Sequence, residues 1–391
     1  VTEELVTARF GPGPFSLEGL AQLVRSLGDV EDDDLRPLAA KLGVNEDSFH
    51  IKAVADLLGI SEEPRELPEL YSAIRRLLRV EAPVTVVFDD VGAAGPAFFN
   101  LLQYLEEALE DDRVIIELRG DPDAVFPMTG SAEDLYREGI RSLRRSDMPA
   151  ADAFFTAAAE MSPPGPRRWE CFAGRCDALL AGSRVDETLE VAILGLEEAS
   201  RAGDAHYIAR FTFFTTILGE GSDDLGAVLT DIASVLVAHD DRAGAAQAIE
   251  AKAHLAWDAG DTGAALRLMD EALDHARSAL DRQTSTRIVA WICDVVRSGA
   301  LDSVTSRSRI EGSAWIASFS PLLEVKRLVT LALLEARAGW TPAARALMET
   351  AATLQEDLGQ PGWVVGIPEA TLEIDRLAGA DVEQTTNMKD V

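Results

Sequence analysis

Cysteine is scarce in this 391-residue chain: Cys171, Cys176 and Cys293 are the full set. An odd, sparse set with no CxxC pair excludes a disulfide framework and favours a reducing compartment. Five histidines (His50, His206, His239, His254 and His275) lie scattered without the spacing of a metal site, so no metal is expected. No apolar run approaches the ~18 residues of a membrane span. The first residues, VTEELVTARF, are too acidic and too short in apolar run for a signal peptide. A cytoplasmic protein is therefore expected. Val1 in place of Met leaves open a fragment, a trimmed chain or an alternative start codon. No GxSxG and no HExxH occurs, and no nucleophile constellation stands out, so an independent enzyme is not expected. Aromatic residues make up only 6%, which suits close-packed helices better than β-sandwiches.

Basic residues are also in deficit. Lys and Arg total 36 against 67 Asp and Glu, a formal net charge of −31. Such a chain repels nucleic-acid phosphates and anionic membranes, so neither is expected as a partner. The hydrophobic fraction of 47% supports a large core. At this length two domains or one long repeat array are expected.

Two regions differ in character. Residues 1–128 mix short β-like runs with helices, and residues 131–391 read as helix after helix. Between them the stretch 126–131 (FPMTGS) has a linker's composition. In the first region, 84–90 (VTVVFDD) and 114–119 (VIIELR) read as strands. Residues 96–110, led by Pro96, carry apolar residues at helical period. Strand, helix, strand at this spacing is a βαβ unit with a parallel sheet. Ahead of it, 67–80 (LPELYSAIRRLLRV) reads as an amphipathic helix. Its basic residues Arg75, Arg76 and Arg79 are expected on a solvated face. The acidic stretch 29–34 (DVEDDD) is expected as a solvated loop, since it lacks EF-hand spacing.

The second region repeats. Gly182, Gly221, Gly260, Gly299, Gly339 and Gly379 are separated by 39, 39, 39, 40 and 40 residues. A glycine at each step predicts a turn with a left-handed residue between antiparallel helices, and the period predicts a helical solenoid. Ser146 is an irregular first member. Small residues recur 5 and 12 positions beyond several of these turns, as at Ala151 and Ala158, Ala265 and Ala272, and Ala344 and Ala351. That places them on one helix face, where neighbours can approach closely. The polar end VEQTTNMKDV is expected to fray.

The segments 259–273 (AGDTGAALRLMDEAL) and 338–351 (AGWTPAARALMETA) resemble the second half of a tetratricopeptide repeat, although the period exceeds the usual 34 residues. The first region resembles the central part of the STAND-class bacterial signalling ATPases. These are AAA-like regulators in which the ATPase joins an adenylate cyclase domain, or an activator of the LuxR type, to a tetratricopeptide tail. Residues carrying the resemblance are LVTARFGPGPFSLEGLAQLVRSLG, LPELYSAIRRLL, VTVVFDD, the proline-led helix and VIIELR. It implies that Asp89 and Asp90 stand at the Walker B position, where a carboxylate organises Mg2+ and water, and that Arg119 stands at the sensor position. The departures are specific. No GxxxxGK[ST] is present, and no Lys follows a Gly anywhere. Gly92, Ala93 and Ala94 replace the family's His-Trp-Ala-like stretch, and Gly120 replaces a proline. The chain reads as starting just downstream of the phosphate loop.

The expected architecture is mostly α: an incomplete α/β domain with a small parallel sheet, then about six helical hairpins. The expected function is a degenerate or truncated regulator of signalling or transcription. Protein or ligand recognition would lie on the repeats, with no cofactor in this chain where intact relatives use ATP and Mg2+. The alternative is an interaction scaffold in which the α/β part is purely structural. Residues 1–130 hold 26 acids and 11 bases, a poor setting for a triphosphate.

Overall fold

β-Branched runs build the sheet. In a computed structural model, which describes residues 4–11, 15–61, 63–109, 112–121, 128–219, 224–300, 302–359 and 366–387, the strands are β1 (Glu4–Arg9), β2 (Val84–Asp89) and β3 (Val114–Leu118). They pair in parallel in the order β1-β2-β3, with Val6 opposite Val86 and Val86 opposite Ile116. Between β1 and β2 run α1 (Glu18–Leu27), α2 (Arg36–Leu42), α3 (Phe49–Leu57) and α4 (Leu67–Glu81); α5 (Pro96–Ala108) joins β2 to β3. Sequential parallel strands with right-handed crossovers put their connecting helices on one side. On that side Val6, Ala8, Val86 and Phe88 pack on Leu20, Leu23, Ile74, Leu77 and Phe98. The Phe98 ring lies edge-on to Phe10 at 4.6 Å and to Phe88 at 4.9 Å. Leu5 and Ile115 point the other way and are 68% and 51% exposed. The strands, the Pro96 helix and the helix at 67–80 are those read from the sequence.

Fourteen further helices follow among the described residues: α6 (Ala132–Arg144), α7 (Met148–Met161), α8 (Pro166–Ala181), α9 (Val185–Ala202), α10 (Ala205–Leu218), α11 (Leu225–Ala238), α12 (Arg242–Asp258), α13 (Thr262–Ser278), α14 (Arg282–Arg297), α15 (Ser303–Gly312), α16 (Ala314–Ala317), α17 (Pro321–Arg337), α18 (Thr341–Leu358) and α19 (Ile367–Asn387). The chain is thus mostly α with a small parallel sheet and helical repeats. It divides into two packed units, Val1–Gly221 and Ser222–Val391. The first holds the sheet and the helices through α10, so the composition border at 126–131 lies inside it.

One turn chemistry recurs. A residue in the left-handed region is followed at once by an aspartate that caps the next helix. The pairs are Ser146–Asp147, Gly203–Asp204, Asp240–Asp241, Gly260–Asp261 and Leu280–Asp281. Each Asp accepts the backbone N–H three residues on: Ala150, Tyr207, Gly244, Ala264 and Thr284. Such a cap contributes about 0.5–2 kcal/mol to its helix. Left-handed residues therefore step by 20 from Ser183 to Gly203, from Asp240 to Gly260 and from Gly260 to Leu280, then by 19 to Gly299. The glycine period of 39–40 is two such steps.

Of the expected turn glycines, Gly260, Gly299 and Gly339 have φ of 82°, 78° and 81°. Gly182 has φ −80° and leaves the left-handed position to Ser183, at φ 60°. Gly221 lies outside the described residues. Gly379 corrects the expectation: it sits within α19 and not in a turn, and α19 carries the polar end as far as Asn387. The chain is helical on both sides of Gly379, and spacing was the only support for a turn there.

Other glycines serve close packing. The Phe155 ring of α7 is fully buried between Gly139 of α6 and Gly174 of α8, and a Cβ on either glycine would come within 2.7 Å of it. Gly195 of α9 admits Phe211 of α10 in the same way, at 2.5 Å. Opposite results are thus expected for two Gly→Ala changes. Gly174→Ala should destabilise the first unit by about 1–3 kcal/mol through overpacking. Gly379→Ala, with nothing within 4 Å of the new Cβ, should stabilise α19 by about 1 kcal/mol. Hydrogen exchange of the helix amides reads both.

Candidate functional site

Three places gather charged or aromatic side chains. The first is the end of the sheet. Asp89 closes β2, and Asp90 follows in the left-handed region at φ 59°. The Arg119 N–H donates to the Phe88 carbonyl at 2.8 Å, and the Arg119 carbonyl accepts from Val91 N–H at 3.2 Å. Gly120 is needed there: at φ 105° it lies so close that a Cβ would stand 3.2 Å from Asp90 Cα. The fold thus brings Asp89, Asp90 and Arg119 to one end of neighbouring strands. The side chains of Asp90 and Arg119 go to surface pairs. Arg9 Nε meets Asp90 at 3.3 Å, with both side chains more than half exposed, and Arg119 Nη2 meets Glu117 at 3.2 Å. Exposed pairs of this kind contribute about 0–1 kcal/mol.

The second place surrounds α4, and here the sequence reading needs correction. Arg75 and Arg76 do not line a solvated face, whereas Arg79 is exposed as expected. Arg75 is buried, with its guanidinium 5.9 Å from the Tyr104 ring centre. Arg76 Nε donates to the Leu42 carbonyl at 2.8 Å, and Arg79 bonds Asp112 and the Ala108 carbonyl. The reason is that α4 packs on α2, α3 and α5, so Arg76 and Arg79 reach backbone carbonyls beside them. The expected solvated loop at 29–34 is exposed but tied down, through Asp29 to Lys41, Asp33 to Arg25 and Asp34 to Arg36.

Charged groups are also buried beside α4. Asp56 accepts Arg145 Nη2 at 2.7 Å, Arg145 Nε at 2.9 Å and the Arg65 backbone N–H at 3.0 Å. The Arg145 carbonyl in turn accepts from Leu67 N–H at 3.1 Å. Glu69, 1% exposed, takes Arg65 Nε and Nη2 on one oxygen at 2.9 and 2.7 Å. Its other oxygen has no hydrogen-bond partner among the described residues. Burial outweighs the Arg65 charge and pushes the Glu69 carboxyl up to about 7. His50, 3% exposed, sits 3.1 Å from the Ser72 hydroxyl. Burial, with Arg76 and Arg75 nearby, pushes the His50 imidazole down to about 4. None of these residues is marked by a sequence motif, since burial is what makes them unusual. The cysteines are buried too, and burial pushes the Cys171 thiol up to about 11, an unreactive state.

The third feature is a set of ion pairs between alternate helices, found within each unit separately. In the first unit α8 and α10 are bridged by Asp177 and Arg210 at 2.8 Å. In the second, Glu250 of α12 bonds Arg287 of α14 at 2.7 Å, Asp294 of α14 bonds Lys326 of α17, and Glu373 of α19 bonds Arg337 of α17. Beside the Glu250 bridge the Trp291 ring stands edge-on to His254 at 5.4 Å and to Trp257 at 5.5 Å, both at 82°. All three rings are half-buried. In a chain with six tryptophans, a His and a Trp at i, i+3 on one helix face is a readable signal that a helix surface carries aromatics. Among the described residues no cluster of metal-ligating side chains occurs, and no helix is long and apolar enough to cross a membrane.

No protein-family model matches the chain, and no curated protein matches it. Two solved structures are similar. The apo form of RapI has 11% identity and a TM-score of 0.39, covering 67% of this chain and 92% of that one. A Rap protein complexed with Competence and Sporulation Factor has 14% identity and a TM-score of 0.39, covering 88% and 85%.

Proposed function

We propose that this chain is a regulatory protein that recognises a protein or peptide on its helical repeats. Its α/β part, residues 1–128, is a STAND-like domain that does not operate as an ATPase in this chain. The partly exposed His254–Trp257–Trp291 group carries this reading. Aromatic side chains with one face in the core and one in solvent give large contact area at small entropic cost, and so serve as anchors for a partner. The Glu250–Arg287 bridge beside them holds α12 against α14 and fixes the rings in place. A photo-crosslinking residue in place of Trp257 tests it. In the cells that make the protein, one discrete adduct is expected, lost when Trp291 is replaced by alanine. Equal labelling from exposed Leu372 would overturn the reading.

Two features support a non-hydrolysing α/β part. The sequence holds no GxxxxGK[ST], so the backbone cradle and lysine that grip a triphosphate are missing from it. Asp90 and Arg119 are already engaged by Arg9 and Glu117. Calorimetric titration with Mg-ATP is expected to give no heat of binding up to millimolar nucleotide. Micromolar binding that Asp89→Asn abolishes would show a working site. The scaffold alternative differs in one respect: it predicts that Asp90→Ala leaves partner adducts unchanged.

A further inference from the structure

We propose that the turn between α13 and α14, together with α16, forms a second docking surface, and that its partner is an acidic peptide segment whose apolar side chains are flanked by carboxylates. The surface stands on residues separate from the His254–Trp257–Trp291 group.

The turn carries an anomaly. Among the described residues that hold the left-handed position between helices of the array, Leu280 is apolar, and the others are Gly, Ser or Asp. Its φ is 55°. A Cβ makes that region unfavourable, and an apolar side chain offers no local hydrogen bond in return, as Asp can. Nor does burial compensate, because Leu280 is 81% exposed. Gly260, one step earlier, makes the same turn at φ 82° with no side chain. Leu280 therefore costs the fold in backbone strain and in exposed apolar surface. Strain that the fold itself does not require is a pointer to function. A leucine held outward on a short turn between two helices is placed to pack against apolar side chains of another chain.

An aromatic and cationic platform flanks it. Arg277 lies in the last turn of α13 and Arg282 opens α14. The Arg277 guanidinium stands 4.6 Å from the Trp315 ring centre, and the Arg282 guanidinium 4.5 Å from that of Phe319. The two rings meet edge-on at 5.7 Å and 87°. Trp315 belongs to α16, whose Ile316 and Ala317 are buried in one cluster with Val289 of α14 and Leu323 of α17. The short helix is thereby pinned, and it holds Trp315 outward, 42% exposed.

This chemistry selects the partner. Stacking uses the face of a guanidinium, while carboxylate recognition uses the N–H groups in its plane, so one arginine does both. Trp and Arg are also the residue types most enriched among binding anchors. Asp281, next to Leu280, accepts the Thr284 N–H as the cap of α14. Asp274 reaches Arg277 only at 3.8 Å, with both side chains exposed. The patch is thus locally basic in a chain of net charge −31, and an acidic segment complements it. Ser278 and Ala279, just before Leu280, border an open cavity of about 600 Å3 against residues 240–243, where Asp240 pairs with Arg242. That hollow leaves room beside the leucine for a partner's backbone.

Panning a random peptide library on the immobilised full chain tests this. Enriched peptides are expected to include a set with Asp or Glu on both sides of an apolar residue. Fluorescence anisotropy of that set should show binding weakened about tenfold or more in the Arg277→Gln, Arg282→Gln double variant, and likewise in Leu280→Gly. Leu280→Gly also separates binding from folding. Hydrogen exchange at the α13–α14 turn is expected to slow or stay level in it, since glycine takes the left-handed position at no steric cost. The proposal is overturned when no enriched peptide depends on these residues, or when those that do are basic or uncharged. It is equally overturned when the same residues govern binding of a single-stranded oligonucleotide or self-association of the chain in sedimentation.

Discussion

Arg145→Met is expected to be among the most damaging single changes to the first unit, costing about 3–5 kcal/mol. The reason is what it leaves behind. Asp56 is 7% exposed, and without Arg145 its carboxylate keeps one backbone donor, the Arg65 N–H. A buried charge stripped of its partner costs far more than the intact pair contributes. The double variant Asp56→Leu with Arg145→Met removes both charges and is expected to recover most of the loss. A double-mutant cycle read by urea unfolding or native-state exchange isolates the coupling. A loss below 1 kcal/mol in the single variant would mean that water reaches Asp56.

Phe155→Ala is expected to cost a comparable amount, about 3–5 kcal/mol. The Phe155 ring is fully buried, and Gly139 and Gly174 contribute no side chain that could swing into the space it leaves. The cavity then persists, and its cost adds to the lost transfer energy. A partial rescue is expected when Gly174→Ala is combined with Phe155→Ala, because the methyl group that clashes with the ring in the wild type fills part of the hole. Rescue of this kind is non-additive and distinguishes a packing role from a helix-propensity effect. Thermal melts of the four proteins suffice. If Gly174→Ala proves equally harmful with and without the ring, the ring–glycine contact is not what the glycine is for.

Local chemistry was legible in the chain wherever neighbours in sequence decide it. The runs ending at Asp89 and at Arg119 are strands because β-branched residues prefer the pleated sheet. Pro96 opens α5 because a first-turn proline loses no hydrogen bond. Gly260, Gly299 and Gly339 have positive φ, whereas Gly379 lies within α19, where spacing was the only support for a turn. A second signal was in view, the aspartate that follows five of the left-handed turn residues. It was hidden in an excess of acids. Part of the −31 charge is therefore structural, spent on helix caps and not on solubility alone.

The candidate sites were less legible. Asp89, Asp90 and Arg119 were named from resemblance, and the fold does bring them to one sheet end, but their surface pairing with Arg9 and Glu117 joins positions 81 and two residues apart. Arg75 looked like a solvated cation because a 3.6-residue pattern shows which residues share a face and not what covers that face. Glu69 and His50 carried no motif at all.

The sequence by itself determined the element types, the parallel sheet and the absence of a GxxxxGK[ST] motif from these residues, since each rests on covalent geometry or on residues a few positions apart. Only the tertiary structure decided which charges are buried. Burial depends on what packs from far along the chain, as Arg145 packs on Asp56, 89 residues away. The cost of removing a charge from water is also what pushes the Glu69 carboxyl up and the His50 imidazole down.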